Sequence, residues 1–186
     1  MGRYLGPRTK YLRRFGLLPQ KTQQRIFKKN KTAYGQRLEE KQKLKFIYDI
    51  SEKQFSRYVN EAIKSHEDPA LFLFRKLEMR LDNVIFSFGF ARSRQEARQL
   101  VSHGHVFVND NKIDIPSYQV IARDNISMGK NILDKILERE KISERKPENL
   151  PGWLGREDGL GIVRHYPAKS DIRRDVDFEL IIEFYS

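Results

Sequence analysis

Near Gly104 the apolar residues of this chain stop recurring with the period of a helix and begin to recur with that of a strand. A chain that makes this change is restricted to the α+β class. Upstream, the run "QRLEEKQKLK" (36–45) is rich in helix formers. Ser51 and Gln54 then fit a capping box, and Phe55, Tyr58, Val59, Ala62 and Ile63 follow at helical spacing. Asp68-Pro69 opens a further helix through "ALFLFRKLEM". Leu81, Val84, Ile85 and Phe88 form one stripe that stops near Gly89, and Ser93 with Glu96 opens another helix that Gly104 closes. Downstream, "HVFVN", "KID", "SYQVI" and "NISM" predict short strands, with Asp110-Asn111 as the first turn. "NILDKILERE" predicts a helix, and "KISERKPENLPG" a polar linker. In "DFELIIEFYS", Phe178, Leu180, Ile182 and Phe184 alternate, which predicts a final strand.

Charge divides the chain differently. Residues 1–46 carry 14 Lys and Arg against two acids, Glu39 and Glu40, whereas residues 47–186 carry 22 basic and 23 acidic residues. The whole excess of positive charge therefore sits in the first quarter. A balanced body with a basic arm suits a polyanion. Tyr4, Gly6, Tyr11, Phe15, Gly16, Phe27, Tyr34 and Gly35 are threaded between the charges, as in arms that order against RNA. A basic tail kept for solubility is the plainer alternative. No apolar run approaches the ~18 residues of a membrane span, and the arm has no amphipathic stripe for a membrane surface. The N-terminus lacks the apolar stretch of a signal peptide, and Gly6 stands where a myristoylation signal needs Ser or Thr. The expectation is a chain that stays where it is made, in a bacterial cytoplasm or an organelle.

The stretch "ARSRQEARQLVSHGHVFVN" (91–109) brings the two themes together. On a helical wheel Ala97, Leu100 and Val101 form the core face, and Arg94, Arg98, Gln95 and Ser102 span about a quarter-turn beside it. Glu96 lies nearly opposite the arginines and is best used in the capping box, so the arginines are expected to stay unneutralised. Guanidinium groups match phosphate with two parallel hydrogen bonds. Gln95, Gln99, Ser102, His103 and Asn109 are expected to add backbone or sugar contacts. By itself such a helix is equally an ordinary solvated face; beside the basic arm, the nucleic-acid reading is favoured.

"RLDNVIFSFGFARSRQEARQLVSHGHVFVNDNKIDIPSYQV" resembles the RNA-binding module named after ribosomal small-subunit protein four. The matching residues are Arg80-Leu81-Asp82, Ser93-Arg94, Ala97-Arg98, Leu100-Val101, Gly104, Val106, Val108 and Asn109. The module alone leaves several families open, some pseudouridine synthases and a heat-shock RNA binder among them. "MGRYLGPRTKYLRRFG", "LEEKQKLKFIYDISEKQFSRY" and "DFELIIEFYS" resemble the ribosomal family itself, so the similarity runs from end to end. One departure is the short, cysteine-free "LLPQKTQQRIFKKNKTAYG", where some members carry a longer segment with a four-cysteine zinc knuckle. No cofactor and no zinc are expected.

The resemblance implies a primary binder of the 5′ domain of small-subunit rRNA that nucleates assembly of the subunit body. It also implies a neighbourhood near the mRNA entrance, contact with ribosomal protein five and other small-subunit proteins, and a contribution to translational accuracy. The rRNA-binding residues expected are Arg3, Tyr4, Arg8, Lys10, Arg13, Arg14, Lys41, Lys43, Lys45, Arg92, Arg94, Arg98, Gln99, Ser102, His103 and Asn109. Four regions are expected: a basic irregular arm with short helical turns (1–34), a helical domain (35–78), the RNA-binding module (79–140), and a linker with a C-terminal β segment packing back on the body (141–186).

Other chemistries fare poorly. His103 and His105 lack further donors beyond His66 and His165, so a metal site is not expected. "DGLGIV" (158–163) has a lone GxG, which reads as a turn, and "KNKTAYG" lacks the spacing of a phosphate-binding loop. No nucleophile stands in a catalytic grouping, and neither an enzyme nor a small-molecule substrate is expected. Arg80-Leu81-Asp82 mimics the catalytic motif of pseudouridine synthases, but it lies inside the module's first helix with only about 50 residues beyond the module, too few for a catalytic domain. Asp82 is expected to be a local cap or an ion-pair partner. A free RNA chaperone or ribosome-rescue factor, and a DNA-binding helix-turn-helix, remain as alternatives.

Overall fold

The computed structural model describes residues 9–17, 32–143, 150–157 and 159–186, in two compact units. The first comprises residues 1–73 with 173–186, and the second residues 74–172.

In the first unit, α1 (Thr9–Arg14) is a single short helix within the basic arm. Thr32 caps α2 (Ala33–Tyr48), accepting the Gly35 N–H, and Asp49 ends it in the left-handed region. Ser51 caps α3 (Glu52–Lys64) by accepting the Gln54 N–H, as the capping-box spacing predicts. Phe55, Tyr58, Val59 and Ala62 are buried, whereas Ile63 is exposed. The C-terminal segment is not a strand: Phe178–Tyr185 forms a helix, designated α8. Asp177 Oδ1 accepts the Leu180 N–H as its N-cap, and the wholly covered positions, Phe178 and Ile181, are three apart. Glu179 and Glu183, four apart and both exposed, mark its outer face, while Phe178, Leu180, Ile182 and Phe184 also satisfy the period of a strand. It packs on α2 and α3, where Phe55 and Tyr185 rings lie 6.2 Å apart.

In the second unit, α4 (Pro69–Glu78) runs in from the first, so the division between the two compact units falls inside this helix, at residues 73/74. Next come α5 (Leu81–Ser87) and α6 (Arg94–Ser102), then β1 (Val106–Val108), β2 (Asn111–Ile113) and β3 (Asn125–Met128). After α7 (Lys130–Ser143), β4 (Leu154–Glu157) and β5 (Leu160–Val163) complete an antiparallel sheet of order β2-β1-β3-β5-β4. Residues 141–186 are thus shared: β4 and β5 join the sheet of the second unit, and α8 belongs to the first. One core gathers Leu81, Val84, Ile85 and Phe88 of α5, Ala97 and Val101 of α6, Val106 and Val108 of β1, and Trp153, Leu154 and Val163.

Three further expectations are corrected. Val108 pairs with Asn111, so the first turn is Asn109-Asp110, not Asp110-Asn111. Both turn residues have positive φ (48° and 65°), the requirement of the two-residue hairpin turn whose twist matches its strands. "SYQVI" makes a single bridge, Arg80 with Gln119, because its N–H and C=O groups turn to residues beside α5: Tyr118 accepts from Leu81 and Val120 donates to Met79. "DGLGIV" is chiefly β5. Its Gly161 lies against the wholly buried Phe88, where an added Cβ would stand 2.6 Å from ring carbons. Gly161→Ala is therefore expected to cost about 1–3 kcal/mol in denaturant unfolding, with Phe88→Leu in the same chain recovering part of it.

Candidate nucleic-acid interface

Two arginines that a helical wheel treats alike are treated oppositely by the fold. Arg98 is 5% exposed, and its Nε and Nη2 donate to Asp82 Oδ2 at 2.9 and 2.7 Å. Arg80 donates to the same carboxylate, Nε to Oδ1 at 3.0 Å and Nη2 to Oδ2 at 2.7 Å. Asp82 is thus the ion-pair partner of two buried cations, and it makes no side-chain cap on α5. The expectation of an unneutralised arginine stripe fails at Arg98, because the neutralising acid comes from the neighbouring helix, 16 residues upstream. Buried guanidinium groups need such partners.

Arg94 stays partly exposed. Its Nε donates to Asn83 Oδ1 at 2.7 Å, and its guanidinium carbon lies 4.5 Å from the centre of the Phe86 ring. Asn83, only 1% exposed, donates Nδ2 to both the backbone and the carboxylate oxygens of Glu78.

Ser93 caps α6 as expected, accepting the Glu96 N–H at 3.1 Å. The Glu96 carboxylate reaches past Ser93 to accept the Arg92 N–H, and lies 3.7 Å from Arg92 Nε. The outward arc of α6 is then Arg92 at its start, Gln95 half-buried, and Gln99, Ser102 and His103 exposed. Lys112, absent from the expected set, is brought to the far end of this arc by the β1–β2 hairpin: its side chain lies over Gly104, where a Cβ would collide with it. Only the hairpin register places it there, and no motif marks it. His103 and His105 rings lie 6.2 Å apart, and no group of three or more His, Cys, Asp or Glu able to hold a metal occurs among the described residues.

Asn109 is occupied structurally. Its Nδ2 donates to Asp124 Oδ1 at 2.7 Å and its Oδ1 accepts the Asn125 N–H, fastening the hairpin turn to β3.

The lysines of α2 turn inward rather than outward. Lys41, 7% exposed, donates to Glu52 Oε1 at 3.0 Å and sits 4.3 Å from the Phe184 ring centre. Lys45 pairs with the other Glu52 oxygen, and Lys43 donates to the Asp175 carbonyl. Glu52 also accepts the Tyr185 hydroxyl at 2.8 Å. Burial raises the Glu52 pKa, but hydrogen bonds from Lys45, Tyr185 and Lys41 outweigh it and hold the carboxyl near 2, while burial and Glu52 push Tyr185 upward. A carboxyl depressed from 4.5 stabilises the fold above pH 4.5, and that contribution is lost as pH falls toward 2. Glu52 is still 44% exposed, so the contribution is about 1 kcal/mol or less. Glu52→Gln is expected to flatten the melting temperature between pH 4.5 and 2, as followed by circular dichroism.

On α1, Arg13 and Arg14 are exposed, and Tyr11 stacks on Phe46 at 5.3 Å. Lys10 lies on the same helix, and Arg3, Tyr4 and Arg8 lie outside the described residues. Of the expected set, the fold therefore collects Arg92, Arg94, Gln99, Ser102 and His103 on and beside one helix, and commits Arg98, Asn109, Lys41, Lys43 and Lys45 to internal contacts.

Two family models tile most of the chain. Residues 3–78 match the "Ribosomal protein S4/S9 N-terminal domain" and residues 79–126 the "S4 domain". The chain is 41% identical to small ribosomal subunit protein uS4 of Persephonella marina, over the full length of both. The chain belongs to the ribosomal protein S4 family. Small ribosomal subunit protein uS4c of Phaeodactylum tricornutum is 41% identical over all of this chain and 99% of its own length. A uS4A protein of Clostridium botulinum is 47% identical over 86% of this chain and 77% of its own. The boundary between the two family models, 78/79, coincides with the end of α4; the S4 domain match holds α5, α6, β1 and β2 and ends at residue 126, inside β3. In this family member the arginine-rich helix is α6, and its partner in burying Arg98 is α5.

Proposed function

We infer that the chain is a structural constituent of the small ribosomal subunit that binds rRNA directly through the outer arc of α6 and the basic arm. The observation that carries this is the end-to-end similarity to small ribosomal subunit proteins, joined to an exposed donor face in the S4 domain. The rRNA target is the 5′ domain of the small-subunit rRNA, where early docking nucleates the body of the subunit. Contact with ribosomal protein five, a position near the mRNA entrance and a part in decoding accuracy follow from the same reading, as does residence in the ribosomes of a bacterial cytoplasm or an organelle. The role needs neither zinc nor other cofactor, and no catalysis. Asp82, the residue that a pseudouridine synthase would need accessible, is 2% exposed and held by two guanidinium groups, which supports a non-enzymatic role.

Equilibrium binding of the purified chain to 5′-domain rRNA across a salt series, with excess tRNA and duplex DNA present, tests the reading. Binding that survives both competitors supports it. Equal removal by both would leave only non-specific attraction to the arm and favour a free RNA chaperone, which co-sedimentation with small subunits would then separate from a resident protein.

A further inference from the structure

We propose that Asn83 is a positioning residue for RNA recognition, acting through Arg94. The inference rests on the rRNA-binding reading above and deepens it. The geometry has three parts. Asn83 is 1% exposed in the first turn of α5, and its amide is fixed from behind: Nδ2 donates to Glu78 Oε2 at 2.8 Å and to the Glu78 carbonyl at 3.0 Å. These two bonds determine which way the amide points, so Oδ1 faces α6, where it accepts Arg94 Nε at 2.7 Å. The Arg94 guanidinium then lies 4.5 Å over the half-buried Phe86 ring. An arginine held by a hydrogen bond at Nε and by an aromatic face has lost most of its rotamer freedom before any phosphate arrives. A long flexible side chain loses that freedom on binding, at a cost in affinity.

The neighbouring residue supplies the contrast. Asp82, one position earlier, carries a full negative charge and draws Arg98 into the interior. Asn83 offers an amide oxygen, which orients Arg94 at its Nε. The adjacent Asp82-Asn83 pair on α5 therefore holds both arginines of α6, Arg98 buried and Arg94 partly exposed.

A double-mutant cycle on the full-length chain, read as affinity for 5′-domain rRNA, tests this. Arg94→Ala is expected to weaken binding about tenfold and to reduce the slope of log affinity against log salt by about one. Asn83→Ser is expected to weaken binding by roughly threefold in the parent chain and not at all in the Arg94→Ala chain. Phe86→Leu, which leaves the Asn83 hydrogen bonds in place, should show the same dependence on Arg94. Melting temperatures of every variant, taken alongside, identify any that lose structure. If Asn83→Ser and Phe86→Leu weaken binding equally with and without Arg94, the positioning role is overturned. Absence of competitor-resistant binding in the parent chain would instead overturn the rRNA reading itself, so the two failures are distinguishable.

Discussion

Asp82→Ala is expected to be the most damaging single substitution in the second unit, costing about 3–5 kcal/mol of stability. The carboxylate is 2% exposed and is shared by Arg80 and Arg98, themselves 1% and 5% exposed. Removing it leaves two buried cations side by side, without the anion that both face. The converse change is far milder. Arg98→Met takes away one cation but leaves the Arg80–Asp82 pair intact, with Nε and Nη2 each on one carboxylate oxygen. A methionine fills much of the same volume without a charge, so its cost is expected to stay below about 1.5 kcal/mol. For a unit of about 100 residues each kcal/mol shifts the melting temperature by roughly 4–8 °C. Asp82→Ala should therefore unfold the unit at temperatures where Arg98→Met is still folded. Similar losses from the two substitutions in thermal or urea unfolding would show that the cluster is not organised around the carboxylate.

This asymmetry marks the limit of what the sequence discloses. The α6 boundaries, its Ser93 cap and its core residues Ala97 and Val101 were all legible, because capping and periodicity are local. The fate of Arg98 was not. On the wheel it lies between Arg94 and Ser102, and the fold draws the edge of the core between Arg98 and Ser102 because an acid on another helix reaches it there. The partner of the α2 lysines was hidden for the same reason: Glu52 follows in sequence, but only the turn between α2 and α3 brings it back over Lys41 and Lys45. Alternation in "DFELIIEFYS" is misleading because its apolar residues satisfy both periods; Asp177 as an N-cap and the exposed Glu179 and Glu183 four residues apart are the local clues that decide for a helix. Asn109 is an expected RNA contact, and its ties to Asp124 and Asn125 in the hairpin turn depend on a partner 15 or 16 residues away that its own sequence does not announce. In each case the residue type was informative and the partner was not.

The second large expectation separates surface from internal charge. Arg92→Ala combined with Arg94→Ala removes the two arginines that border the outer arc of α6; the Arg92 side chain is 76% exposed. Two lost phosphate contacts should flatten the salt slope by about two and weaken binding by about 100-fold or more. The melting temperature should fall modestly, because the buried Asn83 Oδ1 loses its Arg94 donor, whereas Arg92 is largely solvated. Lys41→Met combined with Lys45→Met removes the same formal charge from α2, but from groups already paired with Glu52. Here the salt slope should change by much less than two, whereas the melting temperature should fall because Glu52 and Tyr185 lose their shared lysines. Both variants lose some stability, and the salt slope is the quantity that separates them. A lysine variant that flattened the slope as strongly as the arginine variant would place α2 on the RNA and remove the distinction. A lysine variant that leaves the slope nearly unchanged assigns recognition on these two helices to α6 of the S4 domain, and leaves α2 as the element that holds α8 and α3 together.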